Sequence, residues 1–242
     1  MIDPRTGVVT RRLEGVARIL PVTGGKGGIG KSVTASLLAL SLAGRGRRVG
    51  LLDLDFTGPC DHLILGLDER FPKEEFGIEP PERHGLRFMS VSLFAGSTAA
   101  PLRGADLTNA LLELLAITRW GELDALVLDM PPGLCDIALD AVRLIDRAEY
   151  LVVANASRVV VETVRRNLDL LCGLERGVAG VIENMQREDR QTVRQLADSY
   201  GHEYLGAIPF DPDLEPAIGD VEKLKRTGAT AAVCGIIDRL GL

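Results

Sequence analysis

The sequence predicts an α/β fold: a doubly wound, mainly parallel sheet flanked by helices, formed as a single domain over residues 1–242 with 1–16 as a lead-in segment. Three observations predict it. Short apolar runs of strand length alternate with longer stretches of helical periodicity, the pattern of βαβ units. A glycine-rich stretch separates the first such run from the first helix. Two apolar runs, 48–55 and 123–129, close on aspartates, as strands do when a ligand sits beyond their carboxyl ends. With 46% hydrophobic residues, a chain of 242 has the apolar material for one sizeable core.

Residues 17–22 form the first apolar strand. The helix at 31–43 follows the glycines, apolar at Val33, Leu37, Leu38, Leu40 and Leu42. The strand at 48–55 comes next. Between 66 and 85 apolar periodicity gives way to Pro72, Pro80, Pro81 and charges, which reads as a surface excursion rather than a domain linker. A strand at 86–93 precedes a helix that starts at Arg103–Asp106, with Asp106 as its N-cap, and runs to about Trp120. Leu111, Leu112, Leu114, Leu115 and Ile117 form its buried side. The apolar strand 123–129 follows. Strands at 150–154, 178–182 and 203–208, with helices at 159–171, 189–200 and 227–240, complete the sheet.

Gly25-Lys26-Gly27-Gly28-Ile29-Gly30-Lys31-Ser32 fits G-x-x-x-x-G-K-[ST], the phosphate loop of nucleotide-hydrolysing proteins. Glycines let backbone N–H groups approach phosphates with no Cβ in the way, and the helix that follows adds its positive end. Lys31 supplies a charge beside the β- and γ-phosphates, and the Ser32 hydroxyl suits Mg²⁺. The competing reading is a glycine-rich turn that binds nothing, which the strand–loop–helix order argues against. Asp129, closing its strand ahead of Met130-Pro131-Pro132-Gly133, has the Walker B arrangement that holds Mg²⁺. Two prolines and a glycine make a stiff turn able to swing as a unit. Asp53 and Asp55 should face the loop, although strand-ending acids also serve turns and caps.

Lys26, five residues before Lys31, makes the loop resemble the deviant K-G-G-x-G-K-[ST] form of the Mrp/MinD branch of P-loop ATPases. That resemblance implies a homodimer with ATP between its subunits, Lys26 reaching the partner's nucleotide; the plain alternative is a solvated loop charge. It also implies that Lys26, Lys31 and Asp55 are catalytic, with Asp55 positioning the attacking water. Mg²⁺ would be held by Ser32, Asp53 and Asp129. ATP or ADP would be bound by Gly25, Lys26, Gly27, Gly28, Ile29, Gly30, Lys31, Ser32 and Val33. The base would meet Asn184, which hydrogen-bonds the adenine edge in the family, and the closing loop Pro209-Phe210-Asp211. As a bare residue, Asn184 also fits an ordinary turn. No N-K-x-D is present, so ATP is expected over GTP.

The load is a separate question. Mrp-type iron–sulfur carriers resemble the chain over most of its length, including Val181-Ile182-Glu183-Asn184-Met185. Their following C-x-x-C is replaced by Gln186-Arg187-Glu188-Asp189-Arg190. MinD- and ParA-like positioning ATPases need a membrane-binding tail or a basic patch. The tail 231–242 has Arg239 as its sole basic residue and reads as a core-packing helix. Arg165, Arg166, Arg187, Arg190 and Arg194 read as a solvated face. Met1-Ile2-Asp3-Pro4-Arg5, Leu52-Asp53-Leu54-Asp55-Phe56 through Asp61-His62, Pro101-Leu102-Arg103-Gly104 and Ile117-Thr118-Arg119-Trp120 resemble the archaeal, Mrp-type nickel-insertion factors for [NiFe] hydrogenase (the HypB role). The expectation drawn here is therefore nickel insertion with a small HypA-type zinc and nickel chaperone as partner. Iron–sulfur carriage and MinD/ParA-like positioning are the alternatives. Timing or scaffolding without a metal has nothing in the sequence to argue for it.

A formal charge of −6 argues against nonspecific nucleic-acid binding, no apolar run approaches the roughly 18 residues that span a bilayer, and residues 1–15 have no apolar signal core. A cytoplasmic protein without nucleic-acid or membrane partners is expected. Cys60, Cys135, Cys172 and Cys234 form no C-x-x-C pair and hence no disulfide or zinc framework. Cys60 and Cys135 follow the two switches, and with His62 they could meet nickel across a dimer; free cysteines are more often small buried apolar residues.

Overall fold

The computed structural model describes residues 3–67, 73–95 and 105–242. Ten strands are present among them: β1 (Val16–Thr23), β2 (Val49–Asp53), β3 (Lys73–Glu74), β4 (Ile78–Glu79), β5 (Glu82–Arg83), β6 (Leu86–Ser90), β7 (Leu123–Asp129), β8 (Glu149–Ala154), β9 (Gly177–Gln186) and β10 (Tyr204–Pro209). Eight make one sheet in the order β10-β9-β8-β1-β7-β2-β6-β5. Every pairing in it is parallel except β5 with β6. The order reverses around β1, and the crevice at such a reversal is where open parallel sheets bind ligands.

Burial explains why these runs are strands. All five residues of β2 are buried, and so are six of the seven in β7. A strand covered on both faces needs near-continuous apolar sequence, which here is Val-Gly-Leu-Leu and Leu-Val-Leu before the terminal aspartates. Gly50 is forced by packing, because a Cβ there would run into Trp120, Leu123 and Leu126.

The helices are α1 (Arg5–Leu13), α2 (Lys31–Gly44), α3 (Asp61–Ile64), α4 (Ser92–Ala95), α5 (Ala105–Ile117), α6 (Asp136–Leu144), α7 (Arg158–Gly173), α8 (Thr192–Ser199), α9 (Leu214–Ala217), α10 (Val221–Leu224) and α11 (Gly228–Arg239). Helix α2 has little amphipathic bias because it is enclosed between the sheet and α11, with Leu37, Leu38, Leu40 and Leu42 all buried. Helix α11 turns Ala229, Val233, Ile236 and Ile237 inward, so the C-terminal segment packs on the core as expected.

Several elements differ from the sequence-based expectation. The lead-in is helical: α1 buries Val9 and Leu13 and packs against α5. Strand β2 stops at Asp53 rather than residue 55, because Asp55 starts a turn whose N–H groups fold back on carboxylates. Strand β6 ends at Ser90 and gives way to α4, so the strand does not reach residue 93. Asp106 lies inside the first turn of α5 and is not its N-cap. Pro72 and the segment 101–104 lie outside the described residues. Helix α6, unanticipated, follows the Pro131-Pro132-Gly133 turn and buries Ile137, Ala138, Ala141 and Val142. Helix α8 starts at Thr192 instead of residue 189, since Asp189 and Arg190 close a turn. The excursion at 66–85 holds a small antiparallel pair, β3 with β4, and the edge strand β5.

Candidate nucleotide site

The chain turns from β1 into α2 through the glycine loop. Gly24 and Gly25 are required by close approach: a Cβ on the first would strike the Ile29 side chain and the Val153 carbonyl, and on the second the backbone of Thr163 and Val164 in α7. Gly28 and Gly30 have φ of 78° and 84°, a region that residues with a Cβ rarely adopt. Gly30 delivers the chain into α2, whose first turn holds Lys31, Ser32 and Val33. Lys31 is buried and its Nζ donates to the Lys26 carbonyl at 3.3 Å. Burial draws its pKa below the usual lysine value, against the opposing pull of Asp129 and Asp55. Lys26 itself is exposed.

Strand register brings the carboxylates to the loop. Asp53 and Asp129 are direct neighbours at the carboxyl ends of β2 and β7, and Val22 of β1 is the next partner across. Both are fully buried. Asp53 accepts from the N–H of Asp55 at 3.0 Å and of Cys60 at 3.1 Å. Among the described residues neither oxygen of Asp129 is held at hydrogen-bond geometry, although the Ser32 hydroxyl lies close enough to favour its ionised form. Burial pushes Asp53 up to about 6. Burial, followed by repulsion from Asp53, pushes Asp129 up to about 7, with Ser32 and Lys31 drawing it back.

A third carboxylate, unanticipated as a site residue, joins them. Asp61 opens α3, is fully buried, and accepts from the Ser36 hydroxyl of α2 at 2.6 Å. Burial, then the neighbouring Asp129 and Asp53, raise its pKa well above the carboxylate range. An acid opening a four-residue helix carries no distinctive sequence signal. Cys60, beside it and next to Ser32, is pushed up to about 11 by burial.

Asp55 is half-buried, and its Oδ1 accepts from the N–H groups of Thr57 and Gly58 and from the Thr57 hydroxyl. Asn184 ends the buried part of β9, and its Nδ2 donates to the Ile29 carbonyl at 2.8 Å, bracing the phosphate loop from the base side. A cleft of about 200 Å³ lies beyond it, lined by Gly30, Val33, Asn184, Pro209, Phe210 and Asp211 among others. The structure therefore brings the base-side candidates into one wall. Asp211 also has structural work, since its Oδ2 accepts from the Ala229 N–H at the start of α11.

The orphaned Asp129 oxygens, a free Asp61 oxygen and the nearby Ser32 make an all-oxygen donor set suited to a hard divalent cation, so the residues expected to hold Mg²⁺ fit one. The five arginines weighed as a basic patch have local partners. Arg165 and Arg166 pair with Glu162, Arg190 with Glu188, and Arg187 and Arg194 lie over the rings of Phe210 and Tyr204. Among the described residues no helix is long and apolar enough to cross a membrane.

A family model described as ParA, NUBPL iron-transfer P-loop NTPase, matches residues 15–238. The iron–sulfur cluster carrier protein of Aquifex aeolicus is 36% identical over 220 residues, 84% of this chain and 60% of that protein. The carrier of Pseudomonas fragi is 35% identical over 214 residues, 82% of this chain and 75% of that protein. The chain thus spans about three-fifths of the first of these relatives. A nucleotide-binding protein from Archaeoglobus fulgidus, solved with ADP, superposes with a TM-score of 0.74 at 27% identity over 91% of this chain and 92% of that one. These findings overturn the nickel-insertion expectation: the relatives are named for iron–sulfur carriage, not for hydrogenase maturation. The HypB likeness and the HypA-type chaperone fall with it. Of the segments quoted for that likeness, Leu52 to His62 runs along the strand-end crevice, where nothing in the side chains names a load, and 101–104 lies outside the described residues. The chain is Mrp/MinD-like in fold and belongs to the family described as ParA, NUBPL iron-transfer P-loop NTPases.

Proposed function

We propose that this chain is a Mg²⁺-dependent ATPase, switched by nucleotide as a homodimer, that carries an iron–sulfur cluster to acceptor proteins. The observation that carries the reading is the 36% identity to a cluster carrier along 84% of the chain. The ADP bound by the Archaeoglobus relative supports a nucleotide at this face.

The geometry supports the following roles. Backbone N–H groups from Gly25 to Val33 cradle the phosphates, and Lys31 sets its charge against them. Asn184, Pro209, Phe210 and Asp211 receive the adenine. A divalent cation, when bound, neutralises phosphate charge and acts as a Lewis acid; Ser32, Asp53 and Asp129 would hold it. Asp55, with Oδ1 committed to its turn, orients the attacking water through Oδ2. Exposed Lys26 reaches the nucleotide of a second copy. Loss of the γ-phosphoryl group loosens the segments after Asp53 and Asp129, which changes the face offered to an acceptor.

The cargo's ligands need their own account. With Gln186–Arg190 where the Mrp-type carriers have C-x-x-C, thiolates from this chain can come only from Cys60, Cys135, Cys172 and Cys234, none of them in a disulfide. Cys135 and Cys172 are exposed, and Cys135 is the one that follows the Asp129–Gly133 turn. Anaerobic reconstitution with ferrous iron and sulfide tests the reading. It predicts charge-transfer absorbance, acid-labile sulfide, and ATP-dependent transfer to an apo-acceptor, all reduced by Cys135→Ala. Normal ATP turnover with no cluster retained on any variant would reject the carrier role and leave the ATPase.

A further inference from the structure

Asp53, Asp61 and Asp129 each offer an oxygen such that the three atoms lie within 4.8 Å of one another, and all three residues are fully buried. The oxygens are unequally satisfied. Those of Asp53 take backbone N–H groups from Asp55 and Cys60. Asp61 Oδ1 is held by the Ser36 hydroxyl, while among the described residues its Oδ2 and both oxygens of Asp129 have no partner at hydrogen-bond geometry. Three orphaned carboxylate oxygens in a solvent-excluded crevice are expensive unless a positive charge meets them. Lys31 is the lysine beside them, and its Nζ donates to the Lys26 carbonyl.

The donor set is hard and made only of oxygen. Three oxygens within 4.8 Å of one another can meet on one hard divalent cation bound at about 2.1–2.5 Å. Ser36 fixes the Asp61 carboxylate from α2, the same helix that carries Lys31 and Ser32, so this third ligand is preorganised without any phosphate.

We propose that Asp61 completes a divalent-cation site with Asp53 and Asp129 that fills before nucleotide arrives and remains after it leaves. The location rests on the phosphate-loop reading above; the occupancy does not, because no phosphate oxygen is needed. The cation then becomes part of the resting enzyme instead of entering with each triphosphate.

The test is Mn²⁺ binding to chelator-stripped, nucleotide-free full chain, read by the loss of the free-Mn²⁺ electron paramagnetic resonance signal. One Mn²⁺ per chain is expected. Ser36→Ala should weaken binding about tenfold and Asp61→Asn about a hundredfold. In chelator, Asp61→Asn should melt at or above the wild-type temperature, because a neutral amide replaces a buried carboxyl crowded by two others; added Mn²⁺ should raise the wild-type temperature and leave that of the variant unmoved. Nucleotide binding by the wild-type chain is measured in parallel. Mn²⁺ binding without nucleotide binding would sink the phosphate-loop reading and leave this one standing. Mn²⁺ uptake only after ATP is added, Asp61→Asn binding as tightly as wild type, or a variant that melts well below wild type in chelator would each overturn the proposal.

Discussion

The two ends of the strand-end crevice differ in how their chemistry is built. On the phosphate side, the register of β1, β2 and β7 sets Asp53 and Asp129 beside the glycine loop and buried Lys31, and α3 packed on α2 adds the buried Asp61. On the base side, exposed Met185 lies near the end of β9, and exposed Arg187 and Phe210 come just past β9 and β10, with Arg187 lying over the Phe210 ring. The difference is one of burial: Lys31, Asp53, Asp61 and Asp129 are buried together, whereas Lys26 and the residues just past β9 and β10 face solvent. Solvent-facing loops of that kind can vary in sequence at little cost to the fold.

Each variant below is a way to break that contrast or sharpen it. The largest effect is expected from Lys31→Ala, which removes the charge paired with the phosphates. ATP affinity measured by calorimetry should fall more than about a hundredfold, or roughly 3 kcal/mol. Retained tight binding would move the phosphate site elsewhere. Lys26→Ala should keep ATP affinity within about threefold while turnover drops at least about tenfold, because an exposed lysine acts only across a dimer. Unchanged turnover would remove Lys26 from the mechanism.

On the base side the expected losses are smaller. Asn184→Ala deletes a hydrogen bond to the Ile29 carbonyl and one wall of the cleft, so ATP affinity should drop about tenfold. A loss as large as that of Lys31→Ala would erase the contrast.

The smallest effect concerns pH. Asp53 at about 6 and Asp129 at about 7 in the folded chain stand above the ordinary value of about 3.9 in an unfolded one. Between those values the folded state holds protons that the unfolded state has released, so stability falls as pH rises through this window. In chelator, the melting temperature should decline by roughly 5 °C from about pH 5 to about pH 8, and Asp129→Asn should flatten the slope. A melting temperature that rises over the same range would contradict the burial account.

Much of the phosphate side was legible in the sequence because its spacing is dictated by chemistry. Gly25 to Ser32 and the aspartates closing β2 and β7 sit where strand ends must bring them. Asp61 was not legible as a site residue, since only the packing of α3 against α2 brings it to Ser36 and the other two carboxylates. Helices α1 and α6 were missed for different reasons. The first is short, charged and buries only Val9 and Leu13. The second follows two prolines and a glycine that read as a turn alone. The load was misread because nothing in the quoted segments names a cargo: Leu52 to Asp55 and Asp61 stand at the strand-end crevice, whose chemistry is the same whatever is carried.

The central claim is that nucleotide state changes how this chain meets a second copy of itself. Sedimentation equilibrium of the full chain with Mg²⁺ and a non-hydrolysable ATP analogue, against Mg²⁺ and ADP, tests it most directly. A dimer with the analogue and a monomer or loosened dimer with ADP is the predicted result, lost in Lys26→Ala. The same mass and association constant under both nucleotides would contradict the account.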